Sequence, residues 1–517
     1  MNTPFSLETL RELFLNAIPE EQAQADEQAP ELNRFYVPST HTRALNPNNM
    51  LVEGIRGSGK SVWWAALQDE RYRQLVADLL PRSELDNIHC CAGFGQTKSD
   101  NYPSKQILKN LLEKYEPQDI WYTIVAFNTL QLNMPNTWAK RISFVKSDPE
   151  RIERAFIAAD KQLQEQGLKK LILFDALDRT ADDWGSLRRL LKGLLQVLLE
   201  FRSSKSIRLK VFVRPDMLED AEVSAFPDGS KVISSKVMLD WPKIELFSLL
   251  WHHLGNEYSL GKVFRQVCQQ HFGQKWRQHS ATGVWLIPDK MRVDEEQQRE
   301  IFHALAGPYM GSNARRGFPY IWLPNHLGDG YDKTSPRSFL AALHTAASDH
   351  LRDKQAYPLH YQSIKKGVQA ASSIRVRELR EDYPWIDRLM IPLNGQTVPC
   401  EFNAITHRWG QKKILKTLEP VNDEAVVRLP PSRLEQGYEG IKQDLVELGI
   451  FRLMRDGRIN MPDVYRIGYG LGRKGGREAG TLNRQLWGRL MGVEINFKAK
   501  SVRKLKPTEN LSQISAA

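Results

Sequence analysis

The sequence feature that most constrains the fold is a glycine-rich stretch at residues 50–61, which read Met-Leu-Val-Glu-Gly-Ile-Arg-Gly-Ser-Gly-Lys-Ser. Gly54, Gly59, Lys60 and Ser61 fill the fixed positions of the pattern G-x-x-x-x-G-K-[ST], the P-loop. Glycines let backbone N–H groups turn inward around an anion without Cβ clashes. The motif therefore predicts a buried strand, a phosphate-binding loop and a helix whose N-terminus faces the phosphate.

Each residue of this loop has its own role in holding ATP and Mg²⁺, the two cofactors we expect. Lys60 supplies a positive charge for the β- and γ-phosphates, and Ser61 offers a hydroxyl to Mg²⁺. Gly57 and Ser58 complete the set of loop residues that contribute backbone N–H groups. The alternative is a Gly/Ser-rich turn that matches the pattern by chance. The apolar residues before the loop and the helical pattern after it favour phosphate binding.

A second informative stretch, residues 170–179, reads Lys-Leu-Ile-Leu-Phe-Asp-Ala-Leu-Asp-Arg. It has the form of a Walker B strand, with Asp175 at its carboxyl end and Asp178 three residues on. Asp175 would hold the water shell of Mg²⁺, and Asp178 would polarise the attacking water. The alternative for Asp175 is a helix cap. The predicted strand 207–213 ends at Arg214, which we interpret either as a γ-phosphate sensor or as a surface arginine before a helix.

Further strands are predicted at 87–93 and 237–241, and helical patterns separate all of these strands. This alternation predicts an α/β fold, a P-loop NTPase three-layer sandwich with a mostly parallel sheet.

The loop Gly54–Ser61, the strand that carries Asp175 and Asp178, and the strand that ends at Arg214 resemble P-loop ATPases of the AAA+/STAND/KAP superclass. The resemblance covers residues 48–258 and is closest to bacterial predicted ATPases, some of them linked to phage defence. It implies ATP hydrolysis, with Asp178, Lys60 and Arg214 as catalytic residues. Many members carry an acidic pair after the Walker B strand, whereas here Arg179 follows Asp178.

The remaining pattern divides the chain into four predicted parts. Residues 1–47 form a helix and an acidic linker, 48–258 the ATPase core, 259–420 a mainly helical lid or partner region, and 421–517 a winged-helix-like domain with a basic tail. The last assignment depends on a predicted helix at 438–448, followed by a strand, a tight turn and a second strand up to residue 461. A helix at 364–380 has charges of alternating sign, which predicts a solvated face.

Three arginines of the helical region, Arg315, Arg316 and Arg337, are candidates for an arginine finger that reaches a nucleotide of the same or a neighbouring subunit. The alternative for each is an ordinary salt bridge. A finger that acts in trans requires a homo-oligomer, which we expect.

The net charge of +11 is unevenly distributed, since residues 473–506 carry ten Lys/Arg against two glutamates. A basic stretch of this kind favours a DNA or RNA partner bound through residues 455–506, or else is simply a solvated tail. No apolar run reaches the ~20 residues of a membrane span, so we expect no membrane partner. Four cysteines without metal-ligand spacing and no secretory signal favour the cytoplasm.

These features support two hypotheses of different classes. The first is an ATPase motor or switch that acts on nucleic acid or on a partner bound to it. The second is a slow-turnover, nucleotide-gated scaffold or signalling switch that controls a protein effector. A small-molecule kinase is a weaker third, because residues 259–517 far exceed the short lid of such enzymes.

Overall fold

The computed structural model describes residues 6–18, 28–218, 222–350, 356–418 and 429–474, together with the backbone of two strands at Val493–Asn496 and Ser501–Lys504. Most of the basic stretch 473–506 and much of the acidic linker lie outside these residues.

A parallel sheet of five strands organises the first half of the described chain. Its strands are β1 (Leu51–Glu53), β2 (Ile88–Phe94), β3 (Lys169–Phe174), β4 (Ile207–Val213) and β5 (Val237–Met238). They lie in the order β2-β3-β4-β1-β5, and every neighbouring pair is parallel. The predicted α/β fold with a parallel sheet is confirmed, and β4 lies directly between the P-loop strand β1 and the Asp175 strand β3.

Strand order also determines where the connecting helices lie. The chain crosses the sheet in one direction from β1 to β2 and in the opposite direction through β3, β4 and β5. Because crossovers between parallel strands are right-handed, opposite directions place helices on opposite faces of the sheet. The helices of this part are α2 (Thr42–Leu45), α3 (Lys60–Gln68), α4 (Glu70–Leu79), α5 (Lys105–Leu112), α6 (Pro117–Thr129), α7 (Trp138–Ser147), α8 (Pro149–Glu165), α9 (Trp184–Glu200), α10 (Pro215–Leu218), α11 (Gly229–Ser234) and α12 (Lys243–Asn256).

The region after the sheet is mainly helical. Its helices are α13 (Gly261–Phe272), α14 (Asp289–Val293), α15 (Glu295–Ala306), α16 (Pro319–Leu327), α17 (Pro336–Ala347) and α18 (Tyr361–Asp382), with a small antiparallel pair, β6 (Arg277–Gln278) and β7 (Trp285–Leu286). Together with α12 and the N-terminal helix α1 (Leu7–Ala17), they bury a helical core that includes Phe14, Trp251 and Phe339.

The last described part packs back on the sheet. It contains α19 (Trp385–Met390), β8 (Thr397–Val398), α20 (Phe402–Gln411), α21 (Ile414–Leu418), α22 (Gly437–Glu447), β9 (Arg452–Leu453), β10 (Ile459–Asn460), α23 (Asp463–Gly468) and β11 (Gly472–Arg473). Its buried side chains join those of the sheet in one cluster, the sheet core, which spans residues 35–239 and 376–471. One direct link is the indole of Trp184, which stacks on Tyr383 with centroids 6.4 Å apart and donates to the carbonyl of Pro430 at 2.6 Å.

Within α22 and the β9–β10 hairpin the structure matches the predicted helix, strand, turn and strand. The segment that precedes α20 adds a third strand position, because Cys400 pairs antiparallel with Ile459. No helix in the described part of the chain is long and apolar enough to cross a membrane.

Candidate nucleotide-binding site

The P-loop connects β1 to α3, and its glycines are required for different reasons. Gly57 and Gly59 have φ values of +76° and +95°, a region in which L side chains are strained. A Cβ on Gly57 would also lie 2.6 Å from the Ser335 hydroxyl of α17, and one on Gly54 would lie 2.4 Å from the Ser58 hydroxyl. The loop thus takes its shape from backbone freedom and from close packing against α17.

Lys60 is the first residue of α3, and its side chain folds back over the P-loop. Its Nζ donates to the carbonyl oxygens of Gly54, at 2.7 Å, and Ile55, at 2.9 Å. Burial lowers the pKa of Lys60 to about 8, although the nearby Asp175 carboxylate acts in the opposite direction. A desolvated ammonium whose hydrogen bonds go to carbonyl oxygens is well suited to receive an anion.

Ser58 differs from the other loop residues, because its hydroxyl is fully buried and does not line the cavity described below. Its carbonyl oxygen accepts the indole N–H of Trp241 at 2.8 Å. Farther along α3, Trp63 donates to Nδ1 of the buried His41 at 3.0 Å. Any contribution of Ser58 to phosphate binding therefore comes from its backbone and not from its side chain.

Ser61 and Asp175, the two predicted Mg²⁺ ligands, are hydrogen-bonded to each other at the start of α3. Asp175 ends β3, is only 4% exposed, and its carboxylate accepts the Ser61 hydroxyl. Burial raises the pKa of Asp175, while the Ser61 hydrogen bond and the Lys60 charge oppose that rise. A carboxylate and a hydroxyl beside a phosphate loop form the oxygen-ligand set that Mg²⁺ takes when substrate phosphates and waters complete its shell. The residues present fit Mg²⁺.

Asp178 and Arg214 form an ion pair in this structure. Asp178 lies in a short 3₁₀ turn after Ala176, a left-handed residue with φ +55°. Its Oδ2 is 3.1 Å from Nη1 of Arg214, which stands at the end of β4. Arg214 also bonds the Asp216 carboxylate at 2.8 Å. Burial alone would lower the pKa of Arg214, but the carboxylates around it raise that pKa well above its ordinary value.

The carboxyl end of α18 supplies site residues that the sequence reasoning missed. Asp382 accepts from Nη1 of Arg214 at 2.8 Å and also pairs with Arg56 of the P-loop. Glu381 pairs with Arg56 at 2.8 Å, and Glu378 with Arg337 at 2.8 Å. The predicted solvated face of the helix 364–380 is therefore wrong for Glu378, and the helix continues beyond the predicted range to Asp382; both acids are buried against arginines. Their spacing of four residues was the available signal, since it places both carboxylates on one helix face.

The three arginine-finger candidates fall in two different places. Arg337 lies in the first turn of α17, where Ser335 is the N-cap and accepts from the Ser338 N–H. It lines the same cavity as Lys60. Arg315 and Arg316 lie on an exposed 3₁₀ turn and do not line that cavity.

A cavity of about 480 Å³ joins these groups, within the usual size range for a ligand pocket. Its lining includes the loop residues Gly57, Gly59, Lys60 and Ser61, together with Asp175, Asp178, Arg214, Arg337 and Asp382. It also includes residues 28–31 and 34–36, Trp241, Leu249, His253 and Leu340. Phe35 packs edge-on against Trp63 at 5.2 Å, and Tyr36 donates to Glu245, so both aromatic residues are anchored in the core as well as facing the cavity.

In the C-terminal part, the two arginines predicted to contact phosphate have different surroundings. Arg455 is exposed at the hairpin turn. Arg458 forms a 2.7 Å ion pair with Asp456 of the same turn. Among the described residues no cluster of His, Cys, Asp and Glu could hold a metal by itself.

No protein-family model matches the chain, and no curated protein sequence matches it. Among solved structures it is similar to Cdc6p from Pyrobaculum aerophilum, with 11% identity over 81% of this chain and 84% of that one, at a TM-score of 0.26. It is also similar to the ORC2 protein of Aeropyrum pernix, solved as ADPNP–ADP complexes, with 13% identity over 89% and 92% of the two chains, at a TM-score of 0.28. Superpositions with such low TM-scores do not establish a shared fold, so the P-loop assignment depends on the strand order and site geometry of this chain.

Proposed function

We propose that the chain binds ATP with Mg²⁺ and hydrolyses it at this cavity. The observation that carries the proposal is that the P-loop and the Ser61–Asp175 pair open into one cavity, beside Asp178 and Arg214. A phosphate loop, an oxygen-ligand pair for Mg²⁺, an acid and a cation are the parts that phosphoryl transfer to water requires.

Each residue has a defined task in this proposal. The Lys60 ammonium would exchange its two carbonyl partners for the β- and γ-phosphates. Ser61 and Asp175 would hold Mg²⁺, which would supply positive charge next to the phosphates. Asp178 orients the attacking water once Arg214 has turned from its carboxylate toward the γ-phosphate. Arg337 shares the cavity and acts in the same chain, whereas Arg315 and Arg316 remain candidates to act on a neighbouring subunit of a homo-oligomer.

The ATPase would act as a motor or switch on nucleic acid or on a nucleic-acid-bound partner. Support comes from the net charge of +11 and from α22 with its hairpin and the Cys400 pairing, an arrangement typical of a winged helix. The exposed lysines Lys412, Lys413 and Lys416 add positive charge near this unit. The basic stretch within 455–506, most of which lies outside the described residues, would contribute phosphate contacts.

A second candidate function, a slow-turnover scaffold that controls a protein effector, is favoured by one specific observation. Asp178 forms an ion pair with Arg214, and Arg214 also forms an ion pair with Asp382 of α18, which lies far along the chain. While these ion pairs persist, one carboxylate oxygen of Asp178 is engaged by Arg214, and turnover would be slow. ATP would then serve mainly to change the position of α18.

Steady-state ATP hydrolysis with and without DNA or RNA separates the two functions. Stimulation by either polymer supports the motor, and slow turnover that neither polymer changes supports the scaffold. Lys60→Ala should abolish nucleotide binding, and retained affinity would contradict the P-loop assignment. Asp178→Asn should leave ATP bound and unhydrolysed, so unchanged turnover would remove Asp178 from the mechanism.

The cellular setting is part of the same proposal. The four cysteines are free, which supports a reducing compartment such as the cytoplasm. A role in phage defence, which the resemblance implies, predicts that Lys60→Ala cells lose resistance in an infection assay; equal plaque counts for mutant and wild type would contradict it.

A further inference from the structure

One wall of the cavity contains a histidine whose hydrogen-bond partner determines which ring nitrogen carries the proton. His253 is buried on α12 and lines the cavity. Its Nδ1 is 3.1 Å from the carbonyl oxygen of Ala17, the last residue of α1. Because a carbonyl oxygen only accepts, Nδ1 carries the proton and Nε2 is left with a lone pair. Within the described residues no hydrogen bond reaches Nε2.

The position of His253 along α12 places it far from the phosphates. Trp241 is tied to the P-loop through the Ser58 carbonyl, and α12 begins two residues later at Lys243. At a rise of 1.5 Å per residue, Leu249 lies about 9 Å and His253 about 15 Å from the start of α12. Leu249 and His253 are four residues apart, so they occupy the same helix face and line the same wall. A triphosphate held by Lys60 would therefore place its base near this wall.

The purine bases differ in what they present to such an acceptor. Adenine carries an amino group at C6, which donates, whereas guanine carries O6, which accepts. A ring nitrogen with a fixed lone pair bonds the first and repels the second.

We propose that Nε2 of His253 accepts a hydrogen bond from the 6-amino group of adenine and thereby makes the site selective for ATP over GTP. The inference rests on the proposed nucleotide binding and adds its base specificity. Burial, which lowers the pKa of His253 to about 4, keeps the ring neutral and the lone pair available at physiological pH. Arg34 lines the same cavity, and one N–H of its guanidinium donates to the Asn16 carbonyl at 3.3 Å.

The test compares three nucleotides on the full chain by titration calorimetry: ATP, GTP, and purine riboside triphosphate, which is ATP without the 6-amino group. The wild type should bind ATP about tenfold more tightly than either alternative, the effect of one hydrogen bond gained or left unpaired in a buried site. His253→Phe should bind ATP and the purine analogue equally. A purely structural role would instead weaken all three nucleotides by the same factor.

The adjacent His252 provides a matched control. It is also a buried histidine on α12, its pKa is lowered to about 3 by burial, and it does not line the cavity. His252→Phe should keep the tenfold preference for ATP. If His253→Phe does not fold, His253→Gln replaces it. Its amide can donate to O6, so this variant should bind GTP about tenfold more tightly, relative to ATP, than the wild type does.

The outcomes distinguish this inference from the function on which it rests. If the wild type binds ATP and the purine analogue equally, or prefers GTP, nucleotide binding stands and the assignment of His253 is overturned. The assignment is also overturned if His253→Phe keeps the preference or His253→Gln does not shift it. If no triphosphate binds at all, the proposed function fails, and adenine selection fails with it.

Discussion

The charge on Lys60 makes nucleotide affinity depend on pH in a direction that the structure determines. Burial beneath the loop lowers the pKa of the free lysine to about 8. Bound phosphates would raise that pKa again, because an opposite charge within a few ångströms favours the ammonium form. The nucleotide complex therefore holds more protons than the free protein does, and affinity falls as pH rises through 8.

The expected magnitude follows from this pKa. With a free pKa of about 8, roughly nine-tenths of Lys60 is protonated at pH 7 and roughly one-tenth at pH 9. The dissociation constant for ATP should rise about tenfold between these two pH values, equivalent to about 1.4 kcal/mol.

Titration calorimetry in buffers of different ionisation enthalpy measures both the affinity and the protons taken up. At pH 8 the protein should take up about half a proton per ATP bound. Lys60→Arg is the control, because its guanidinium stays protonated and its affinity, though weaker, should not change with pH. An equal wild-type affinity at pH 7 and 9, with no proton uptake at pH 8, would refute the reasoning.

Three further predictions concern stability. Asp382→Asn should lower the free energy of unfolding by about 3 kcal/mol, the lower end for breaking a buried ion pair, because other acids still contact both of its arginine partners. Glu381→Gln, whose side chain is 62% exposed, should cost under about 1 kcal/mol in the same urea titration, and equal losses would contradict the role of burial. Gly57→Ala should weaken ATP binding and lower the free energy of unfolding, since the new Cβ would clash with the Ser335 hydroxyl at the N-cap of α17. Gly167→Ala, with φ +65° and open space around it, should lower the free energy of unfolding by only about 1 kcal/mol and leave ATP affinity unchanged, so identical effects of the two substitutions would argue against the contact. Burial lowers the pKa of His41 to about 4, so its contribution to the free energy of unfolding is complete above pH 6.5 and falls by about 1.4 kcal/mol per pH unit as pH decreases from 6.5 toward 4. Unfolding titrations at pH 7, 6 and 5 should show a weaker pH dependence of this free energy for His41→Gln, and an unchanged dependence would show that His41 is not its source.

The parts of the site that the sequence predicts are those whose geometry is local. A P-loop follows its strand directly, and Asp175 and Arg214 each end an apolar run, so parallel pairing brings both to the same edge of the sheet. No comparable pattern links Arg56 to Asp382, which lies more than 300 residues away. A helix with acids on one face has the same sequence pattern whether that face is exposed to solvent or packs against arginines, so the pattern does not predict these ion pairs.

The role proposed for His253 is equally unpredictable from the sequence, for a related reason. His253 stands in an apolar helix beside a second histidine, and the pattern alone does not say which of the two rings reaches a cavity. The proton position depends on a carbonyl oxygen from α1, more than 230 residues earlier. Conversely, Ser58 occupies a variable position of the motif, and its side chain is fully buried and does not line the cavity.

The sheet core is built from two stretches that are far apart in the chain, and this affects how the protein folds during synthesis. Its side chains come from residues 35–239 and again from 376–471, and the helical core fills the interval. On a ribosome, the sheet side of this core emerges while the residues that complete it have not yet been synthesised. Apolar surface near Trp184 stays uncovered until Tyr383 and Pro430 arrive. A chain cut after residue 258 would lack these covering residues permanently, so shortened versions of this protein should be prone to aggregation even though their P-loop is intact.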